Sequence, residues 1–237
     1  MTDGYGSVAM RPVVTLDDTA RGDFLIKVYQ HLMAAIIGFV AVSALLITTG
    51  ISEAIYDFVS GGAAWLLILG AFMVISWMAT SAAHDILNPQ RQYLGLFGMV
   101  AGEALIFAPV LHYFFEIADD GATSVGIAAV ITAIGFAGLS VVAFTTRTDL
   151  SFIRPMLIWG GVSALLLIVA AILFGFALGV WFSVAMIALA GAAILYQTQT
   201  IIRRYPAEAY VGAAVQLFAS VMLMFWYVLR LVGALRD

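Results

Sequence analysis

Residues 94–115 read LGLFGMVAGEALIFAPVLHYFF, and the only acidic or basic side chains in that run are Glu103 and His112. A hydrocarbon core of about 30 Å needs about 20 mostly apolar residues to cross it as a helix. This stretch has that length, and its apolar residues run on without the alternation of a barrel strand. Working outward, similar runs cover about 25–49, 64–83, 122–144, 152–176, 178–201 and 210–235. Seven such spans take up well over half of the 237 residues. What is left makes short connections and one polar tail, with no room for a separate soluble domain. The sequence therefore predicts an all-α bundle of seven transmembrane helices, with a tail at 1–24 and a membrane domain at 25–237.

Composition says the same. The chain is 64% hydrophobic and only 10% charged, and its mean hydropathy is +1.08. Soluble domains average about 45–50% apolar and about 25% charged, so a water-facing exterior of this composition would be greasy throughout. With no cysteine in the chain, disulfides, thiol nucleophiles and thiolate metal sites are excluded. Ten basic residues form no stripe fit for nucleic acid.

Charge sets an expected orientation. Arg11, Arg21, Lys27, Arg91, Arg147, Arg154, Arg203 and Arg204 all fall on one side of a seven-span chain, while the other loops carry Glu53, Asp57, Glu116, Asp119 and Asp120. Positive charge is retained on the cytosolic side, so the N-terminus is expected in the cytosol. Arg230 and Arg236 lie at the other end of the last span, and they leave a re-entrant final helix as the competing topology. Thr15 and Asp18 form a weak capping-box pattern that starts a helix ahead of the membrane. Asp149 or Ser151 is expected to cap the fifth span, and Pro206 to open the seventh. Trp65, Trp159 and Trp181 are placed as an interfacial aromatic belt would place them. No basic leader precedes the first apolar run, so no cleaved signal is expected.

Ionisable groups at membrane depth are expensive, and Glu103 is the clear case. It reads either as a protonatable site or cation ligand on a permeation path, or as a neutral acid hydrogen-bonded within the bundle. His31 and His84 fall near one end of neighbouring spans and His112 near the other. No metal-binding spacing links them, so they read as interfacial side chains, with a shared ion on His31 and His84 as the alternative. Gly161-Val162-Ser163-Ala164 mimics the serine loop of an intramembrane protease, yet no histidine follows Ser163 and Lys27 is the single lysine. That inventory supplies no general base and no retinal attachment point. No catalytic set, metal site or cofactor is expected. Gly98 with Gly102, Gly135 with Gly138, and Gly212 with Ala213 and Ala214 read as close packing within one bundle, or else as a dimer face. Phe218, Met222, Met224, Phe225 and Trp226 read as bundle or lipid filler.

Three segments look familiar. Residues 143–152, AFTTRTDLSF, resemble the loop before the fifth helix of the Bax inhibitor family, in particular its YccA-like bacterial members. Residues 191–202, GAAILYQTQTII, resemble the family's sixth-helix motif. Residues 210–218, YVGAAVQLF, with LRLVG at 229–233, resemble its seventh, and Pro109 after Ala104 and Ala108 fits the Gly-rich third helix more loosely. The resemblance implies six helices around a central seventh, in a bacterial inner membrane. Some members behave as pH-sensitive calcium leak channels, closed by two facing aspartates. Those positions map here to Gln197 and Ser220, so the titrating pair is absent, and with it the best anionic ligands for calcium. Gln197 and Ser220 retain the capacity for an interhelical hydrogen bond. The YccA-like branch implies another role, as modulator of the AAA membrane protease FtsH or as a subunit stabilising a larger membrane complex. An interaction role of that kind is the first expectation. A calcium or proton leak with Glu103 as its titrating group is the second.

Overall fold

The computed structural model describes residues 12–60, 62 and 64–236. The first eleven residues of the predicted tail, Arg11 included, lie outside the described residues. Eight α-helices follow one another: α1 (Asp18–Thr48), α2 (Ile51–Val59), α3 (Ala64–Ala83), α4 (Pro89–His112), α5 (Gly121–Thr145), α6 (Ile153–Phe174), α7 (Gly179–Arg204) and α8 (Tyr210–Arg236). A turn of wider π-helix, Tyr113–Ile117, extends α4. Seven of these elements are long and apolar enough to cross a membrane, all but α2. The chain is an all-α, multi-pass membrane bundle. Among the described residues no β-strand forms, and one isolated bridge pairs Pro12 with Pro206.

Successive spans run antiparallel, so the end where α1 begins, the near face, gathers the α3–α4, α5–α6 and α7–α8 connections. The far face gathers the others. α8 is a single unbroken helix whose last-turn Arg236 meets Asp120, the residue before α5, at 2.5 Å. The last span therefore traverses the whole bundle, and the re-entrant alternative does not hold.

α8 is the hub. It packs on α1, α3, α4, α5 and α7, and residues such as Val211, Val215, Phe218 and Leu229 are buried. α4 is buried to a similar degree, so the interior is a pair of helices rather than one central helix alone. Lipid tails are as apolar as leucine, and association in a bilayer depends on close van der Waals packing. The helices that go inside are accordingly those with small residues on several faces. α4 presents Gly95, Gly98 and Gly102 to α3, and α8 presents Gly212, Ala213 and Ala214. These stripes pack within the bundle, and Gly95, not part of the Gly98–Gly102 pair, makes the tightest approach. Phe218, Met222, Met224 and Phe225 fill the core. The outer surface is apolar where lipid would lie: Trp77, Trp159 and Phe174 are 74%, 72% and 80% exposed.

Three local expectations are revised. The connection after α1 is not all loop: Gly50, at φ +75°, turns the chain into amphipathic α2, which seats Ile55 and Tyr56 inward and leaves Glu53 and Asp57 outside. Thr15 does not cap α1; its hydroxyl donates to the Pro12 carbonyl, and Asp17 holds the cap position. Trp65 is not a belt residue, because it turns inward and stacks on Trp226 at 5.9 Å. Asp149 rather than Ser151 caps the turn Leu150–Phe152 that leads into α6, accepting from the Ser151 N–H at 2.9 Å. Pro206 stands just before a short turn, Ala207–Ala209, that precedes α8.

At Gly95 a methyl group would overlap the Ala83 backbone nitrogen and the Ala79 carbonyl. Gly95→Ala is expected to cost about 1–3 kcal/mol through overpacking, read as a lower melting temperature in detergent. Gly126→Ala, on α5 with open space beside it, is expected to stay within about 0.5 kcal/mol of the parent.

Candidate functional site

α6 leans on α7 and touches α3 only lightly. Between α3, α4, α6 and α8 this leaves a cavity of about 600 Å³. Its walls are mostly apolar, but Ser76, Thr80, Glu103, Ser220, Tyr227 and Arg230 all contribute to the lining. Arg230 and the 176–178 connection mark its far end; Thr80 lies toward the near face. Glu103 is only 5% exposed. Four ion pairs occur among the described residues, all at helix ends, and none includes Glu103.

The two positions mapped from the aspartate pair do meet. Ser220 Oγ donates to Gln197 Oε1 at 2.9 Å, joining α8 to α7. Ser220 also lines the Glu103 cavity. The structure thus brings Glu103 and Ser220 to one chamber, with Gln197 one hydrogen bond behind. Neither Gln197 nor Ser220 titrates, so this contact persists whatever the pH.

The near face carries a second polar assembly. His84 Nδ1 lies 2.8 Å from the Thr80 carbonyl and therefore donates to it, while Nε2 lies 3.1 Å from the Tyr205 hydroxyl. That hydroxyl donates in turn to Gln216 Oε1 on α8 at 2.5 Å. Burial pushes Tyr205 up to about 12, with Tyr196 adding to the shift, so its hydroxyl stays protonated through the physiological range. The Val13 N–H donates to the Tyr205 carbonyl at 2.8 Å, pinning the segment before α1 across this end. His31 repeats the arrangement on α1: Nδ1 faces the Lys27 carbonyl at 2.7 Å and Nε2 the Tyr93 hydroxyl at 3.1 Å. Both ring nitrogens of each histidine are thus engaged by protein groups, in two separate networks, which argues against a shared ion. His112 packs on Tyr56 near the far face. Ser163 is on the exposed side of α6. Among the described residues no three His, Cys, Asp or Glu side chains cluster to hold a metal.

Sequence reasoning passed over Gln199. Its side chain is buried and clamps the α5–α6 connection, Oε1 accepting from the Leu150 N–H at 2.7 Å and Nε2 donating to the Thr148 carbonyl at 2.7 Å. Arg203 donates to the Arg147 carbonyl beside it. The Ser151 N–H holds the Asp149 carboxyl below its ordinary value, with Arg204 and Arg203 contributing. The signal was present in Tyr196-Gln197-Thr198-Gln199, where two amides two residues apart point to different neighbours.

Residues 21–237 match the family described as inhibitor of apoptosis-promoting Bax1. The chain belongs to the Bax inhibitor family. Two curated relatives from Neisseria meningitidis, one of serogroup A and one of serogroup B, are each 32% identical over 137 residues. Both carry the description "uncharacterized protein". The match covers 57% of this chain and 60% of each relative, so the chain spans about three fifths of the length of the curated relatives it matches. In this family member the loop at 143–152 and the motif at 191–202 are one unit, joined by Gln199.

Removing the Gln199 side chain takes away the partners of the half-buried Leu150 N–H and the Thr148 carbonyl, a loss worth about 0.5–1.5 kcal/mol for each hydrogen bond. Gln199→Ala is expected to lower the melting temperature in detergent. Gln199→Glu is expected to rescue it poorly, because a carboxylate cannot donate to the Thr148 carbonyl.

Proposed function

We propose that this protein is a non-enzymatic cation or proton leak in which Glu103 is the titrating group. The observation that carries this reading is the placement of Glu103, without an ion-pair partner, on a 600 Å³ cavity shared with Ser220. A carboxyl that served only packing would be expected to be hydrogen-bonded or ion-paired; this one is buried at 5% exposure, lines the cavity and has no ion-pair partner. Exchange of the aspartate pair for Gln197 and Ser220 moves any pH response away from that contact and onto Glu103. The Ser220–Gln197 hydrogen bond then acts as a fixed brace, worth on the order of 1 kcal/mol.

In this reading the near face, with Arg21, Lys27, Arg91, Arg147, Arg203 and Arg204, lies in the cytosol of a bacterial inner membrane. Because the native chain has no cysteine, single replacements report orientation cleanly. Glu53→Cys is expected to react with a membrane-impermeant maleimide on intact spheroplasts, and Gln90→Cys only after lysis.

The leak itself is tested in proteoliposomes, with proton and calcium flux followed at mildly acid and mildly alkaline pH. Flux that Glu103→Gln abolishes supports the reading. Absence of flux, together with a stoichiometric partner retained in gently solubilised native membranes, supports instead modulation of an FtsH-like protease or stabilisation of a larger membrane complex.

A further inference from the structure

Ser76, Thr80 and His84 stand four residues apart along the end of α3, so they lie on one face at steps of about 6 Å. Ser76 and Thr80 line the Glu103 cavity. Ser76 Oγ is buried and has no hydrogen-bond partner. His84, one turn beyond Thr80, is exposed at the near face. The register of α3 against α4 sets their depths: Gly102 lies against Ile75 and Phe72, Gly98 against Ala79, and Gly95 against Ala79 and Ala83. That register sets Glu103 opposite residues 73–74 of α3, so Ser76 stands about half a turn nearer the near face, and the stripe leads from there to the near surface. Steps of this size are spanned by single bridging waters.

We infer that the ion carried by this cavity is the proton and that its near-side route runs from Glu103 along Ser76 and Thr80 to His84. This rests on the leak reading above. Calcium takes six to eight oxygen ligands, several of them anionic. Here one carboxylate and a few hydroxyls line the cavity, and the Arg230 guanidinium, which repels a divalent cation, lines its far end. A proton needs only groups that take it up and pass it on.

His84 is built for both charge states. A proton gained at Nε2 gives an imidazolium that donates to the Thr80 carbonyl and to Tyr205 Oη, whose own proton already points at Gln216 Oε1. In the neutral ring Tyr205 donates to Nε2 instead, and the Gln216 amide turns to donate to Tyr205. Loss of the Nδ1 proton to a water toward the cavity leaves the ring as its Nε2–H tautomer, and a ring flip restores the Nδ1–H form: one proton in, one out, with no redox step. The groups facing the ring are Thr80 on its own helix, Tyr205 on the α7–α8 connection and Gly212 of α8, with Gln216 behind Tyr205. Asp85 next to it is engaged by Arg91 at 2.8 Å.

The test uses the full chain in liposomes, with an entrapped pH dye in one set and a calcium dye in the other. Expected are proton flux without calcium flux, loss of proton flux in Glu103→Gln, and a drop of about a hundredfold in His84→Gln, the usual worth of one acid–base group. Should His84→Gln not fold, Thr80→Val and Tyr205→Phe, checked by melting and monodispersity, are expected to slow flux as well. Calcium flux that depends on Glu103 overturns the choice of ion while leaving the leak intact. Proton flux that needs Glu103 but ignores His84, Thr80 and Tyr205 overturns the route alone. No flux of either ion overturns both this inference and the leak.

Discussion

The contact between α3 and α4 at Gly95 governs the layout of the polar interior. Two helix backbones meet there with no side chain between them, and such contacts are the main source of helix affinity in a medium without a hydrophobic driving force. The contact fixes the register of α3 on α4. That register puts Ser76 about half a turn from Glu103 on the near side and His84 at the surface. It also draws α3 inward at the near end, so the space beside Glu103 lies farther along, where Phe72 and Trp65 wall the cavity. A bulkier residue at position 95 would shift every polar group on the stripe relative to the carboxyl.

Much of the scaffold was legible because a bilayer imposes a coarse rule. Seven apolar runs separated by polar breaks can only become seven helices, and their ends came out within a few residues, apart from an earlier start to α1 at Asp18 and to α4 at Pro89. Facing was not legible. Leu, Val and Ala on a lipid-facing side look the same as on a buried one, so hydropathy could not show that α4 shares the interior with α8 or that Trp65 turns inward. α2 was missed because nine residues are too short for a span, and its amphipathic pattern matters only once α4 is there to receive it.

The site shows the same division. Glu103 stands out in sequence because a lone acid at that depth is conspicuous, and the Gln197–Ser220 contact follows from motif resemblance. Gln199, Tyr205 and His84 gain meaning only through partners 49, 121 and 121 residues away, for Gln199 to Leu150 and for His84 with Tyr205. Single-chain periodicity carries no information on such pairings. The Ser220–Gln197 hydrogen bond joins α8 to α7 with two groups that carry no charge.

The loose seating of α6 has a consequence for how the protein is made. α6 enters the bilayer before α7, its main neighbour, has been synthesised, so its insertion must rest on its own partition into lipid. It belongs to the most apolar of the seven spans, whereas the span containing α8, which arrives last into a ready-made socket, is the least apolar. The most apolar span is thus the one with the lightest packing, while the polar atoms of the chamber sit on α3, α4 and α8.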